Sequence, residues 1–479
     1  MADEFVPEIA FSDYEDQKRI NVLKAKFFEI FSSDPEYYCR APGRVNLIGE
    51  HIDYCGYGVL PMAIDQDILI AASKNGSSKL KLYNLNDKYG AQEVECSSFE
   101  IDKASPKWYH YFLCGYKGVI EKLNAKKNCK LFGLNVLVDG SVPPCAGLSS
   151  SSALVCASSL ATMMPSGCKF TKLEMAELCQ HCEKYIGTEG GGMDQSISFL
   201  AQKGKAKYVE FNPIRGTDVQ IPLGGSFVIA NCCVEMNKAA TDHFNIRVAE
   251  CRLAAQVLAN QINLNWRDVK RLVDVQNLLN LSLEKCLKLV ERHFHITEYS
   301  KEEICAALRV TEQELDEISL GPRSRHVKTF KLRQRAEHVY SESLRVLNFK
   351  DVCNKFSSSL SGNTKDSEGD VQIDASATLK RLGDLMNLSH RSCRDDYECS
   401  CKELDDLVHH STSSGSLGCR LTGAGWGGCC VSLVEDDQLD DFIAKMKNYY
   451  KQKGFSDSVI EMSLFVSNPG QGAAIILNK

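Results

Sequence analysis

Phosphate chemistry is the first thing the residue types suggest. In Pro143-Pro144-Cys145-Ala146-Gly147-Leu148-Ser149-Ser150-Ser151-Ser152-Ala153, a turn of small residues joins an apolar run at 131–139 to a stretch of small, helix-compatible residues. A helix that starts at 149–151 directs unpaired N–H groups and the positive end of its dipole into that turn, which suits an anion. The hydroxyls of Ser149, Ser150 and Ser151 could donate to phosphate oxygens or ligate magnesium, and the same serines would also serve as ordinary helix caps. A second candidate is Gly190-Gly191-Gly192-Met193-Asp194. Its glycines allow backbone to approach a ligand closely, and Asp194 sits where a helix over 195–201 is predicted to begin, a position that a plain helix cap would also explain. A third is Arg44 followed by Glu50-His51-Ile52-Asp53. Those polar groups fit metal ligation, an acid/base pair, hydrogen bonding to a polyhydroxylated ligand, or a solvated loop.

Gly423, Gly425 and Gly428 satisfy G-x-G-x-x-G. A dinucleotide fingerprint must follow a strand and open a helix, whereas 429–434 reads as a strand, so a glycine loop running into a strand remains. There is no G-x-x-x-x-G-K-[ST] run and no His-Arg-Asp or Asp-Phe-Gly set of the protein kinases.

The elements that must position these groups are readable from periodicity. Ile20, Leu23, Phe27, Phe28 and Phe31 predict a buried helix face over 17–31, leading to a short strand at 37–40 and a Pro42-Gly43 turn. Strands are expected at 60–72, 80–83, 206–211 and 226–230. A helix is expected at 108–123, with Trp108, Phe112 and Val119 as core. From 235 to about 349 the texture becomes helical, which predicts two domains, 1–220 and 221–479. The polar run 357–376 reads as a disordered surface loop.

The chain has 479 residues, a formal charge of −6, 44% apolar and 25% charged residues. Nothing in that balance calls for nucleic acid or a membrane, and no basic-then-apolar leader or long apolar run is present, so a cytoplasmic protein is expected. The 22 cysteines are scattered, which favours reduced thiols. Cys179-x-x-Cys182 lies in a helical stretch with no second pair to complete a zinc site.

Taken together, these stretches resemble the GHMP kinases, and within them the galactokinase family. Residues 42–54 resemble the galactokinase signature, 143–153 the phosphate loop and 421–429 the third motif, with further likeness over 386–408. The resemblance implies a two-domain, mixed α/β (α+β) GHMP kinase fold with the active site in the cleft between domains. It implies ATP as co-substrate with Mg2+, and a sugar as acceptor. Asp194 would be the catalytic base, and Arg44 would hold it ionised and offset phosphoryl charge. Glu50, His51, Asp53 and Asn237 would hold the sugar. Gly147, Leu148, Ser149, Ser150 and Ser151 would wrap the ATP phosphates, with Ser150 as magnesium ligand. Gly423, Gly425 and Gly427 would let their loop approach the phosphate loop.

Within the family, His51-Ile52-Asp53-Tyr54-Cys55-Gly56-Tyr57, the 188–195 loop and Val234-Glu235-Met236-Asn237-Lys238-Ala239-Ala240 are more similar to N-acetylgalactosamine kinases than to galactokinases proper. The expected reaction is phosphorylation of N-acetylgalactosamine at its anomeric hydroxyl, with weaker galactokinase activity. Galactokinase proper is the alternative enzyme. A non-catalytic sugar and ATP sensor acting on a protein partner is the alternative from another class; the intact 149–153 run, Arg44 and Asp194 argue against it. A monomer is expected.

Overall fold

This computed structural model describes residues 4–126, 130–188, 190–234, 242–360 and 374–477. The fold is mixed α/β, as expected. Its larger sheet has seven strands in the order Glu8–Ala10, Ala474–Leu477, Tyr37–Ile48, Leu60–Lys74, Leu134–Gly140, Lys79–Asn84 and Gln92–Glu95. Most neighbours are antiparallel; the two exceptions are the first pair and the pairing of Leu134–Gly140 with Lys79–Asn84. A second, smaller sheet of four strands runs Gly418–Leu421, Cys429–Glu435, Gly225–Asn231 and Leu464–Val466, antiparallel throughout, and two further pairs of strands stand apart from both. The Ala474–Leu477 strand therefore returns to the sheet built from the first half of the chain.

The helix Gln17–Phe31 forms because Asp16 accepts the Arg19 backbone N–H at 2.9 Å and because Ile20, Leu23 and Phe27 recur on one face. That face is buried against Tyr38, Leu69, Leu137 and Ile476 of the sheet. Phe28, expected on it, is 55% exposed instead. The central strand Tyr37–Ile48 is covered on both faces, so its residues are buried without alternation, Arg44 and Asn46 included. It is longer than the sequence suggested: Pro42-Gly43 makes no turn, but sits at a register irregularity between Pro42 and Arg44 inside the strand.

The helix Ser150–Met163 is buried from Ser152 onward. Its small residues let it lie close against the helix Trp108–Lys126: a Cβ at Gly115 would stand 1.9 Å from Ser158 Oγ. This packing fixes the turn in front of Ser150. The helices Leu332–Leu360 and Ala375–Asp395 pack together, and Ala375–Asp395 lies on the strands Gly418–Leu421 and Cys429–Glu435 of the smaller sheet. Residues 357–360, expected as loop, complete the first of these helices, and 375–376 begin the second; residues 361–373 lie outside those described. Among the described residues no helix is long and apolar enough to cross a membrane.

Candidate active site

Arg44 leaves the central strand just after its irregularity and is 4% exposed. Its backbone N–H donates to Leu148 O at 3.1 Å, Nη1 donates to Gly147 O at 2.5 Å, and Nε donates to Asp194 Oδ1 at 2.8 Å. One arginine thus ties the 143–153 turn to the Gly190–Asp194 loop. Asp194 stands in the first turn of the helix Met193–Leu200, which starts two residues before the expected 195, and it is not the cap. Gly192 is the cap, with a left-handed φ of 104° that admits no side chain easily, and the Asp194 carboxylate turns to Arg44 instead. Its second oxygen accepts from Ser152 Oγ at 3.4 Å. The single Ser152 hydroxyl proton is shared between that oxygen and the closer Glu183 carboxylate.

The serine turn is not a simple cap. Ser149 occupies the N-cap position at φ 59° yet makes no side-chain capping bond, and among the described residues its buried Oγ has no hydrogen-bond partner. Leu148 contributes its carbonyl to Arg44 while its side chain is buried in the core. Gly147, Ser149, Ser150 and Ser151 line a cavity of about 330 Å³ with Glu183, Asn84, Tyr89, Trp108 and Tyr111. Trp108 is therefore half-exposed on a cavity wall, not core as its spacing suggested, whereas Phe112 and Val119 are fully buried.

Beyond Arg44 and Asp194 lies a narrower pocket, lined by Glu50, His51, Asp53, Tyr54, Phe244 and the 190–193 backbone. Arg44, Asp194, Glu183 and Ala424 line both spaces. Asp53 Oδ2 accepts the Gly191 N–H at 3.1 Å. His51 lines the same pocket, and its ring nitrogens bond Tyr54 OH at 2.8 Å and Ala424 O at 3.0 Å, which ties the loop together. Asn237 lies outside the described residues.

Glu50 is held from behind by groups with no signature in the sequence. Its Oε2 pairs with Arg420 Nη2 at 3.0 Å, and Arg420 also donates to Asn46 O at 2.6 Å and Ser389 Oγ at 3.0 Å. Glu342 Oε1 accepts from Gly49 N at 2.8 Å, Glu50 N at 3.3 Å and Ser389 Oγ at 2.6 Å. Burial pushes the Glu50 carboxyl up, against the pull of Arg420 and Arg44. Burial acts the same way on Glu342, but there Arg345, Arg420 and His338 prevail and hold it at about 2.

The third glycine loop also needs correction in part. A Cβ at Gly423 would meet Gly147 O at 2.3 Å, so this glycine does allow contact with the phosphate turn. Gly425 and Gly427 make room instead for the carbonyls of Cys399 and Val234. Among the residues not singled out by sequence, Ser152 had the weak signal of a fourth consecutive serine. Glu183, Arg420 and Glu342 had none, since each sits in a helix or strand whose local pattern is ordinary.

Three family models match the chain: the galactokinase galactose-binding signature over residues 25–74, the GHMP kinases N terminal domain over 111–202 and the GHMP kinases C terminal domain over 374–452. The chain is 40% identical to a galactokinase of Dictyostelium discoideum, covering 96% of this chain and 94% of that one. It is 34% identical to the galactokinase of Saccharomyces cerevisiae, with 96% and 94% covered. The crystal structure of Lactococcus lactis galactokinase complexed with galactose superposes with a TM-score of 0.67 at 26% identity, covering 95% of this chain and 99% of that one. With the shared wall of Arg44 and Asp194 between two spaces, these likenesses establish that the chain belongs to the galactokinase family of GHMP kinases and is a sugar kinase.

Proposed function

We propose that this sugar kinase transfers the γ-phosphoryl group of ATP to the anomeric hydroxyl of N-acetylgalactosamine, with weaker activity on galactose. The observation that carries the transfer is the Arg44–Asp194 pair on the wall common to the larger cavity and the narrower pocket. A sugar hydroxyl held on one side of that wall faces a phosphoryl group on the other. Asp194 accepts the hydroxyl proton as oxygen attacks phosphorus. Arg44 offsets charge on the transferring group, and Glu50 and Asp53 accept sugar O–H bonds. Asn237 is the further polar group assigned to the sugar.

The phosphates are assigned to the 147–151 turn, where the unpartnered Ser149 hydroxyl and the free N–H groups of the helix start supply donors. Magnesium fits the same place: Ser150 and Glu183 offer oxygen ligands on the cavity wall, in keeping with an ion that takes one or two carboxylates beside phosphate oxygens and water. Bound there, it would neutralise phosphate charge. Trp108, Tyr89 and Tyr111 are apolar surface for the base. The two halves are taken to divide near residue 220, and the working unit to be a monomer.

Preference for the acetamido sugar rests on the loop variants at 51–57, 188–195 and 234–240, and on Gly190, Gly191 and Gly192, which give the sugar pocket a wall without side chains. The second reading, galactokinase proper, is favoured by the names of the relatives and by the galactose-bound structure. Initial rates of ADP formation with magnesium-ATP and each sugar, for wild type and Asp194→Ala, separate them. A higher kcat/KM for N-acetylgalactosamine that the substitution abolishes supports the proposal. Preference for galactose makes the chain a galactokinase proper; sugar binding without ADP formation from either sugar makes it a sensor.

A further inference from the structure

Cations gather at a second concavity outside the cleft. Behind the turn Asp53–Cys55, the residues Tyr54 and Cys55 form one wall of a cavity of about 380 Å³, and Arg252, Arg267, Lys270 and Arg271 line it from the helix His243–Gln261 and the segment after it. Four of its ten lining residues are cationic and none is acidic, in a chain whose formal charge is −6. Arg271 is partly offset by Asp274 at 3.0 Å, and Arg252 Nη1 donates to Ser319 O at 3.0 Å. Arg267 lies over the Trp266 ring, 4.4 Å from guanidinium carbon to centroid. Neither Arg267 nor Lys270 forms an ion pair among the described residues.

Like charges converging on one space repel, and an anion entering that space relieves the repulsion while accepting several charge-assisted hydrogen bonds. The site is a cavity of small-molecule size, which a duplex or a membrane surface would not enter. We propose that this cavity binds a small phosphorylated metabolite, at a site separate from the cleft but sharing Tyr54 with the wall of the sugar pocket. The proposal goes beyond the sugar-kinase reading and is tested by binding alone.

Inorganic tripolyphosphate is titrated calorimetrically into the full chain, with the cleft filled by magnesium and a non-hydrolysable ATP analogue. Arg267→Gln/Lys270→Gln serves as the comparison; both side chains are exposed, so the variant keeps its fold, which an unchanged Tm without probe verifies. Expected are about one equivalent bound by wild type, binding that weakens as salt rises, and a loss of about ten-fold or more in affinity in the variant. Equal affinity in the two proteins, or loss of all binding once the cleft is filled, overturns the proposal. Because the variant difference reports this cavity alone, failure of the sugar-kinase reading would leave the comparison intact.

Discussion

Two arginine–carboxylate pairs face the cleft, and their surroundings differ. Arg44 and Asp194 keep 5% and 14% side-chain exposure and touch both the larger cavity and the narrower pocket. Arg420 and Glu50 keep 0% and 3%, and every donor of Arg420 that bonds does so to a buried protein group. The same chemistry therefore sits in two settings. Asp194 meets Arg44 with one oxygen and Ser152 with the other, on a wall that two spaces share. Glu50 is braced by a buried guanidinium, by Glu342 at its backbone N–H and by His338 at its carbonyl, which fixes its position. Burying a pair costs desolvation that its attraction only partly returns, so the Arg420 network is better understood as specifying the position of residues 49–51 than as a source of net stability.

The contrast is sharpest in the substitution Asp194→Asn. It preserves shape and removes the proton acceptor, so kcat should fall about 10³-fold while Tm and the sugar KM change little, read from steady-state rates and thermal melts. Arg420→Met should do the reverse. It leaves Glu50 charged and buried without its partner, costing about 3–5 kcal/mol of stability in denaturant melts and raising the sugar KM. Adding Glu50→Gln should recover much of that stability without restoring sugar binding; if it restores neither, the two residues are not coupled as described.

A third substitution probes the seam between the regions. Gly423→Ala places a Cβ 2.3 Å from Gly147 O at a φ of 84°, a left-handed conformation that alanine adopts with strain. A loss of about 2–3 kcal/mol is expected, with KM for ATP rising more than KM for the sugar. An unchanged ATP KM would detach this loop from the phosphate turn.

The smallest effect at neutral pH concerns His338. Burial is the main cause that lowers its pKa to about 4, so the folded protein holds it neutral while the unfolded chain protonates near 6.5. Between those values the unfolded state binds more protons, so this stability is fully present above pH 6.5 and is lost as pH falls toward 4. Glu342, held at about 2 against an ordinary 4.5, extends the loss to lower pH. The Tm of His338→Gln should therefore decline less steeply than that of wild type from pH 6.5 to 4, by the equivalent of about 3 kcal/mol at the lower end.

Much of the site was legible because its chemistry is local. Arg44, Glu50, Asp53, Asp194 and the serine turn each lie in a short stretch whose glycines or serines announce an unusual backbone, and the mixed α/β fold followed from strand and helix periodicities. Other features were not. Pro42-Gly43 looked like a turn because local preference cannot tell a turn from an irregularity inside a strand that later pairs on both sides. Trp108 looked like core because helical spacing gives a face without saying whether protein or a cavity covers it. The partner that holds the second ring nitrogen of His51, Ala424 O, was not legible because it lies 373 residues away.

The sequence by itself determined which residue types were available for anion binding and proton transfer, and the local turns that carry them. The resemblance already implied that Arg44 stands beside Asp194, 150 residues away; only the tertiary structure decided that the pair forms a wall common to two spaces, and that Arg420 and Glu342 stand behind Glu50 across 370 and 292 residues. The physical reason is that propensity and periodicity act over a few residues. The field felt by a charge depends instead on what packing brings within a few ångströms, from any distance along the chain.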